Sequence, residues 1–347
     1  MKKVRFFDAT LRDGSHAIRH QLTKETIESY CRSMDSSGVY VIIVGHGNGL
    51  GASSLQVGLS RLSDSEMIST ARNNLINTKL GVYLIPGFGT IHDDIIPAIE
   101  CGVDIFKIGC HCTEADTTRQ HIEYLRKQNK EVYGILMMYH MASPEKLLEE
   151  ARKMQSYGAH GVILMDSAGA STPQMVKKVI SLLCDKLDIN IGFHPHNNLN
   201  MAVANAYIAI EEGASIIDGT IRGFGAGAGN CHLEALAALL EKCDYKLDIN
   251  LYQLFDTSEN IIKPLMPEEK GLSDISIVSG IAGVFSAFKT PVLIAAKDFN
   301  VDPRDIFIEL GKRRVVGGQE DMIVDVAKSL SDKKREDNMS YEISSLL

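Results

Sequence analysis

A closed (β/α)8 or TIM barrel followed by a helical C-terminal domain is the α/β architecture this sequence predicts. Three observations predict it. Short β-branched apolar runs alternate with amphipathic stretches over roughly the first 240 residues, the pattern of a parallel sheet built from βαβ units. Eight such runs are present, whereas open doubly wound sheets usually end at about five to seven strands. From Leu251 onward no further strand run occurs, and the segments read as helix only.

The predicted strands are Val4 to Ala9, Tyr40 to Val44, Leu80 to Ile85, Val103 to Ile108, Val132 to Met138, Gly161 to Met165, Ile189 to His194 and Ser215 to Gly219. After Thr23, residues Ile27, Tyr30, Cys31 and Met34 recur at helical spacing and form one apolar face for packing on the barrel. Ser143-Pro144 and Thr172-Pro173 each set a capping hydroxyl before a proline at the first helical position, where the missing N–H costs nothing. Gly158 closes the first of these two helices. In the C-terminal part, Ser279 to Phe288 and Asp305 to Arg313 read as helices, and the tail from Ser331 to Asp337, charged in both signs, reads as a solvated end. The expected division is therefore 1–250 for the barrel and 251–347 for the helical domain.

Of the 347 residues, 45% are hydrophobic and 23% charged, the balance of a folded globular protein. The net charge of -8 argues against a nucleic-acid or anionic-membrane partner, since both are held by clustered Lys and Arg. No apolar run approaches the ~18–20 residues of a membrane helix, and the start, Met1 to Asp8, turns polar too early for a signal peptide. We therefore expect a cytoplasmic protein. The seven cysteines are scattered and lack C-x-x-C spacing, so reduced thiols are expected in place of a disulfide framework or zinc knuckle.

Catalytic groups of such barrels lie at the C-terminal ends of strands. After strand 1 come Arg12, Asp13 and His16, a cation, a carboxylate and an imidazole within five residues. At the end of strand 7 stand His194 and His196, which at i and i+2 point to one side of an extended chain, about 6–7 Å apart at Cα. Two imidazoles, with Asp13 supplying oxygen across the barrel, suit a divalent ion such as Mn²⁺, Fe²⁺, Co²⁺ or Zn²⁺. The glycine-rich stretches 45–51 and 223–230 do not match a dinucleotide fingerprint. The second reads as a tight turn that places Asn230 near the ion, with phosphate binding as the less favoured alternative.

These motifs, Thr10 to Gly14, His16 to His20, Gly45 to Gly47, His111 to Asp116, His194 to Leu199 and Gly225 to Asn230, resemble those of the 4-hydroxy-2-oxovalerate aldolases. The resemblance continues through Glu309 to Arg314 and Val316 to Met322, so it spans nearly the whole chain. It implies a TIM barrel with a C-terminal domain that docks an acylating aldehyde dehydrogenase, in an oligomer. It also implies an ion, usually Mn²⁺ but with Co²⁺, Mg²⁺ or Zn²⁺ as substitutes, on Asp13, His194 and His196. Arg12 then stabilises the enolate, His16 is the catalytic base, and Gly317 and Gly318 match small residues of an aldehyde channel. The implied reaction is cleavage or formation of a 4-hydroxy-2-oxo acid, to or from pyruvate and a short aldehyde, through a pyruvate enolate held by the ion.

Four positions depart from the resembled pattern. Phe285 stands where a tyrosine is usual near the aldehyde end, Ile43 where a glutamate is frequent, Asn48 where an aspartate is common, and Tyr139 replaces a small residue. The pyruvate end is intact, and the departures gather at the aldehyde end. Ser167, after strand 6, is a candidate contact for the substrate carboxylate. Two other functions compete: a Claisen-type synthase joining an acyl-coenzyme A to a 2-oxo acid, and a non-catalytic partner subunit. The first lacks a matching regulatory domain, and the second has no need of Arg12, Asp13, His16, His194 and His196 together. Met137 and Met138 read as core fillers, His46, His111 and His140 as pocket walls or hydrogen-bond partners, and Cys231 as structural.

Overall fold

The computed structural model describes residues 4–266 and 272–346, with side chains as far as 334. Eight strands close into a barrel in sequence order: β1 (Arg5–Asp8), β2 (Val41–Ile43), β3 (Lys79–Leu84), β4 (Ile105–His111), β5 (Glu131–Met137), β6 (Gly161–Asp166), β7 (Asn190–Pro195) and β8 (Ile216–Gly219). All pairs are parallel, and β8 returns to β1 with Phe7 opposite Asp218. Both faces of each strand are covered, which is why the strands read as continuous apolar runs. Phe7, Ile43, Tyr83, Tyr133, Ile163 and Ile216 fill the barrel, while Phe6, Ile42, Val82, Phe106, Leu164 and Phe193 pack outward under the helices.

The helical layer follows its capping signals. Thr23 caps Lys24–Met34, whose buried face is Ile27, Tyr30, Cys31 and Met34. Ser143 and Thr172 cap Pro144–Ser156 and Pro173–Lys186, each with proline in the first turn. Gly158, at φ +97°, turns the chain just beyond the first of these.

Two expected elements change. β4 runs to His111 instead of stopping at Ile108, because Gly109, Cys110 and His111 continue the ladder opposite Ile135, Leu136 and Met137. Ser279 to Phe288 is not one helix: Asp274–Ala282 ends at Gly283, which takes the left-handed conformation that favours glycine, and a short turn Ser286–Phe288 follows. Leu254 and Ile262 belong to the barrel core, and the second core, built on Val284, Phe288, Val292, Phe307 and Leu310, begins after Leu272. The first helix of the expected C-terminal domain, Leu251–Thr257, thus packs with the barrel. The charged tail lies in the helix Asp321–Leu346; Asp332, Lys333 and Lys334 are exposed, and the side chains of Arg335, Glu336 and Asp337 lie outside the described residues.

The helical domain is tied to the C-terminal ends of the strands. Ser286 N donates to Ser167 O (2.9 Å), Ser286 Oγ to Asn198 Oδ1 (2.7 Å), and Gln56 Nε2 to Glu320 Oε2 (2.9 Å). Inside the barrel, Gly109 leaves the space that the Tyr83 ring and hydroxyl occupy, and a Cβ there would overlap them. Gly109→Ala is therefore expected to cost about 1–3 kcal/mol in urea denaturation through overpacking. An unchanged midpoint would show that the ring has room to move.

Candidate active site

Beyond β1 the chain turns sharply, Arg12 N and Asp13 N both donating to Ala9 O (3.0 and 2.7 Å). Asp8 braces this turn, accepting from Thr10 N (2.9 Å) and from Tyr30 OH (2.6 Å). Burial pushes its carboxyl up to about 6. The turn presents Arg12 and Asp13, both almost fully buried, to the barrel axis.

Asp13 is the hub. Its Oδ1 accepts Ala226 N (3.0 Å), and its Oδ2 lies 3.1 Å from Arg12 Nη1, 3.6 Å from His196 Nε2 and 3.7 Å from His194 Nε2. Burial alone would raise its pKa, but Arg12 and then the imidazoles of His196, His16 and His194 outweigh burial and hold it well below the usual carboxylate range. Burial pushes His196 down to about 4 against the opposing pull of Asp13. The ligand atoms of Asp13, His194 and His196 lie within 4.8 Å of one another, and His194 Nε2 has no hydrogen-bond partner. A carboxylate and two imidazoles converging on one point fit a divalent ion. Among the described residues no other group of three His, Cys, Asp or Glu side chains does so.

Around this cluster, Arg12 spends Nη1 on Asp13 and on Gly47 O (3.0 Å), while Nε and Nη2 are buried without partners. Its guanidinium lies 5.0 Å from the centre of the Tyr83 ring. His16 sits in the single helical turn Gly14–Ala17, and its ring occupies the space a Cβ on Gly47 would need. Asn230 is fully buried beside His196, with which its backbone forms a β-bridge, and both its amide atoms lack partners. The glycine-rich stretch 223–230 thus closes on Asp13 and His196, as the tight-turn reading requires.

His16, His20 and His46 form a ring cluster, with His20 stacked on His46 at 3.7 Å. Burial pushes His46 down to about 4 and His20 to about 2. Because these values lie below the 6.5 of an unfolded histidine, both groups support folding above that pH and lose the contribution as acid charges the unfolded chain. Denaturation of metal-free protein is expected to show a loss of about 2 kcal/mol per histidine between about pH 7.5 and pH 5. Because Asp8 and His196 also titrate differently in the folded protein over this range, the comparison is made with His46→Asn, in which the loss should be smaller by that histidine's share; an undiminished loss would contradict its neutral burial.

Two cavities meet at this site. A small one, about 20 Å³, is lined by Arg12, Asp13, His16, Tyr83, Met165 and His196 among others. A larger one, about 390 Å³, runs past Ser167, His111 and Met138 to Gly317, Gly318 and Glu320. Asn48, Ile85, Met137 and Phe285 line both.

Arg12, Asp13, His16, His194, His196 and Phe285 therefore come together, while Ser167, Gly317 and Gly318 lie along the larger cavity. Ser167 Oγ accepts Met138 N (3.2 Å). Ile43 and Tyr139 line neither of these cavities: Ile43 packs in the barrel interior, and Tyr139 lies in the outer core, bonded to Ser171 (2.6 Å). The departures that touch a cavity reduce to Phe285 and Asn48. His46 is a hydrogen-bond partner, contacting Gly58 O (3.0 Å) and accepting Asn48 N (3.0 Å). Cys231 is buried and unpaired, its thiol pushed up by burial.

Three residues at the site were not singled out from sequence: Tyr83, Lys107 and Asp218. Lys107 and Asp218 are both fully buried, and they form an ion pair. Their signal is a charge inside an otherwise apolar strand run, an expensive placement that calls for a partner.

Fold and cluster together define a barrel enzyme with a candidate divalent-metal centre. The chain belongs to the HMGL-like family, whose profile matches residues 3–261, and within it groups with the 4-hydroxy-2-oxovalerate aldolases. Residues 271–332 match the DmpG-like communication domain. The chain is 53% identical to the 4-hydroxy-2-oxovalerate aldolase of Pectobacterium atrosepticum, over 97% of this chain and 98% of that one. It is 50% identical to that of Spirochaeta aurantia, over 94% and 96%. Among solved structures, the N-terminal domain of a putative aldolase from Bacteroides vulgatus superimposes with a TM-score of 0.72 at 22% identity, covering 86% of this chain and 98% of that one. The carboxyl transferase domain of Rhizobium etli pyruvate carboxylase, with pyruvate and biocytin, gives 0.81 at 15% identity, over 96% and 61%. Both share the fold.

Proposed function

We propose that this chain is a Mn²⁺-dependent carbon–carbon lyase that cleaves a 4-hydroxy-2-oxo acid to pyruvate and a short aldehyde, and catalyses the reverse addition. The observation that carries this is the convergence of Asp13, His194 and His196 beside an Arg12 guanidinium with two uncommitted nitrogens, in a chain matching an aldolase over 97% of its length. A divalent ion on these three ligands supplies Lewis-acid polarisation of the 2-oxo group.

The protein's own groups do the rest. Arg12 Nε and Nη2 donate to the oxyanion that develops as the C3–C4 bond breaks and its electron pair becomes an enolate. His16 takes the 4-hydroxyl proton, so that C4 leaves as the aldehyde carbonyl. The proton taken up by His16, returned to C3 directly or through solvent, then gives pyruvate. Ile85, Met137 and Phe285 form an apolar wall suited to a short alkyl group, and Asn230, bridged to His196 through its backbone, has uncommitted amide atoms that would lie near a bound ion. Ser167 marks the way into the larger cavity, which leads to Gly317 and Gly318 in the communication domain. That course supports delivery of the aldehyde to an acylating dehydrogenase docked there. No helix among the described residues is long and apolar enough to cross a membrane.

The test uses metal-stripped protein and 4-hydroxy-2-oxopentanoate, with pyruvate coupled to lactate dehydrogenase. Pyruvate release on adding Mn²⁺ is expected. Its absence, with thiol release from acetyl-coenzyme A and a 2-oxo acid instead, would replace the aldolase by a Claisen synthase.

A further inference from the structure

Lys107 is costly where it stands. It projects from β4 into the barrel, fully buried, and pairs with Asp218 of β8, which is equally buried. Removing two such charges from water costs several kcal/mol per ion, and an apolar pair of similar volume is often as stable or more so. Stability therefore gives little reason for the pair. Asp218 also meets a third group: its Oδ2 lies 3.0 Å from Nδ1 of His194, a close but imperfectly aligned contact. The other nitrogen of that ring, Nε2, has no hydrogen-bond partner and lies 3.7 Å from Asp13 Oδ2.

A neutral imidazole carries one N–H and one lone pair. A carboxylate against Nδ1 favours the proton there, which leaves the Nε2 lone pair directed at the position Asp13 and His196 share. Carboxylates behind metal-binding histidines commonly set the ring's tautomer and orientation in this way. Here the carboxylate is itself fixed from across the barrel, since Lys107 reaches it from β4 while His194 stands on β7.

We propose that Asp218 and Lys107 are positioning residues for the metal centre: Asp218 holds His194 as the Nδ1–H tautomer, with Nε2 presented to the ion, and Lys107 holds Asp218 against it. This rests on the assignment of Asp13, His194 and His196 as the ion site.

Full-length, metal-free protein labelled with ¹⁵N at histidine reports the tautomer directly by NMR, with His194 assigned by the signal lost in His194→Gln. The Nδ1–H form is expected, and the Nε2–H form would overturn the proposal. Mn²⁺ titration of Asp218→Asn and Lys107→Met, each with its thermal midpoint measured, is expected to show affinity reduced about 10–100-fold. Folded Asp218→Asn that binds Mn²⁺ as the wild type does would also overturn it. Should either variant fail to fold, the wild-type tautomer decides. Wild-type protein that binds no Mn²⁺ would instead remove the ion site itself, a result separate from either failure above.

Discussion

Arg12→Ala is expected to lower turnover of 4-hydroxy-2-oxopentanoate by at least about 10²–10³-fold, the usual effect of removing one donor to a developing oxyanion. Mn²⁺ should still bind, because Arg12 is not a ligand and its contact with Asp13 is a single bond through Nη1. Nε and Nη2 have no partners within the protein, so the only acceptors there that lose a donor are Asp13 Oδ2 and Gly47 O, both served by Nη1. The loss should therefore appear mainly in kcat. Arg12→Lys should recover only part of it, because an ammonium cannot contact Asp13 and Gly47 through one nitrogen while presenting two others in the same plane. Steady-state kinetics beside Mn²⁺ titration check this; equal losses in both would make Arg12 a support for the ion site.

Asp13→Asn should abolish activity by a different route. The carboxylate lies within 3.7 Å of both imidazole Nε2 atoms and is the only negative group of the three candidate ligands. Its amide counterpart is a weak neutral donor set for a hard divalent ion, so Mn²⁺ affinity is expected to fall by more than about 100-fold, beyond the range for outer-shell changes. The amide preserves shape, and Ala226 N keeps an acceptor in Oδ1. Calorimetric titration of metal-stripped protein checks this, and retained tight binding would shift the site to other residues.

The barrel was legible because burial on both faces leaves each strand as a short apolar run between helical patterns. The core of the site was legible too: His194 and His196 obey the period of two, and Asp13 follows the end of β1 closely. Depth was not legible. Alternation tells which face of a strand a residue occupies but not how far along the barrel axis its side chain lies. Ile43 therefore reads from sequence as a substrate neighbour but packs in the core, while Lys107 and Asp218, separated by 111 positions, meet beneath His194. Tyr139 illustrates the same limit, since the left-handed Met138 before it redirects the chain and sends the ring outward onto Phe193. β4 outran its expected end because neighbouring strands, and not the propensities of Gly109 and His111, fix its length.

The measurement that tests the central claim most directly needs no aldehyde: exchange of the pyruvate methyl protons with D₂O, followed by NMR on metal-stripped protein with and without Mn²⁺. An enzyme that stabilises the pyruvate enolate with Arg12 over the Asp13, His194 and His196 centre should exchange these protons only with the ion present, and Arg12→Ala should suppress the exchange. Pyruvate that keeps its methyl protons while Mn²⁺ is bound would contradict the account.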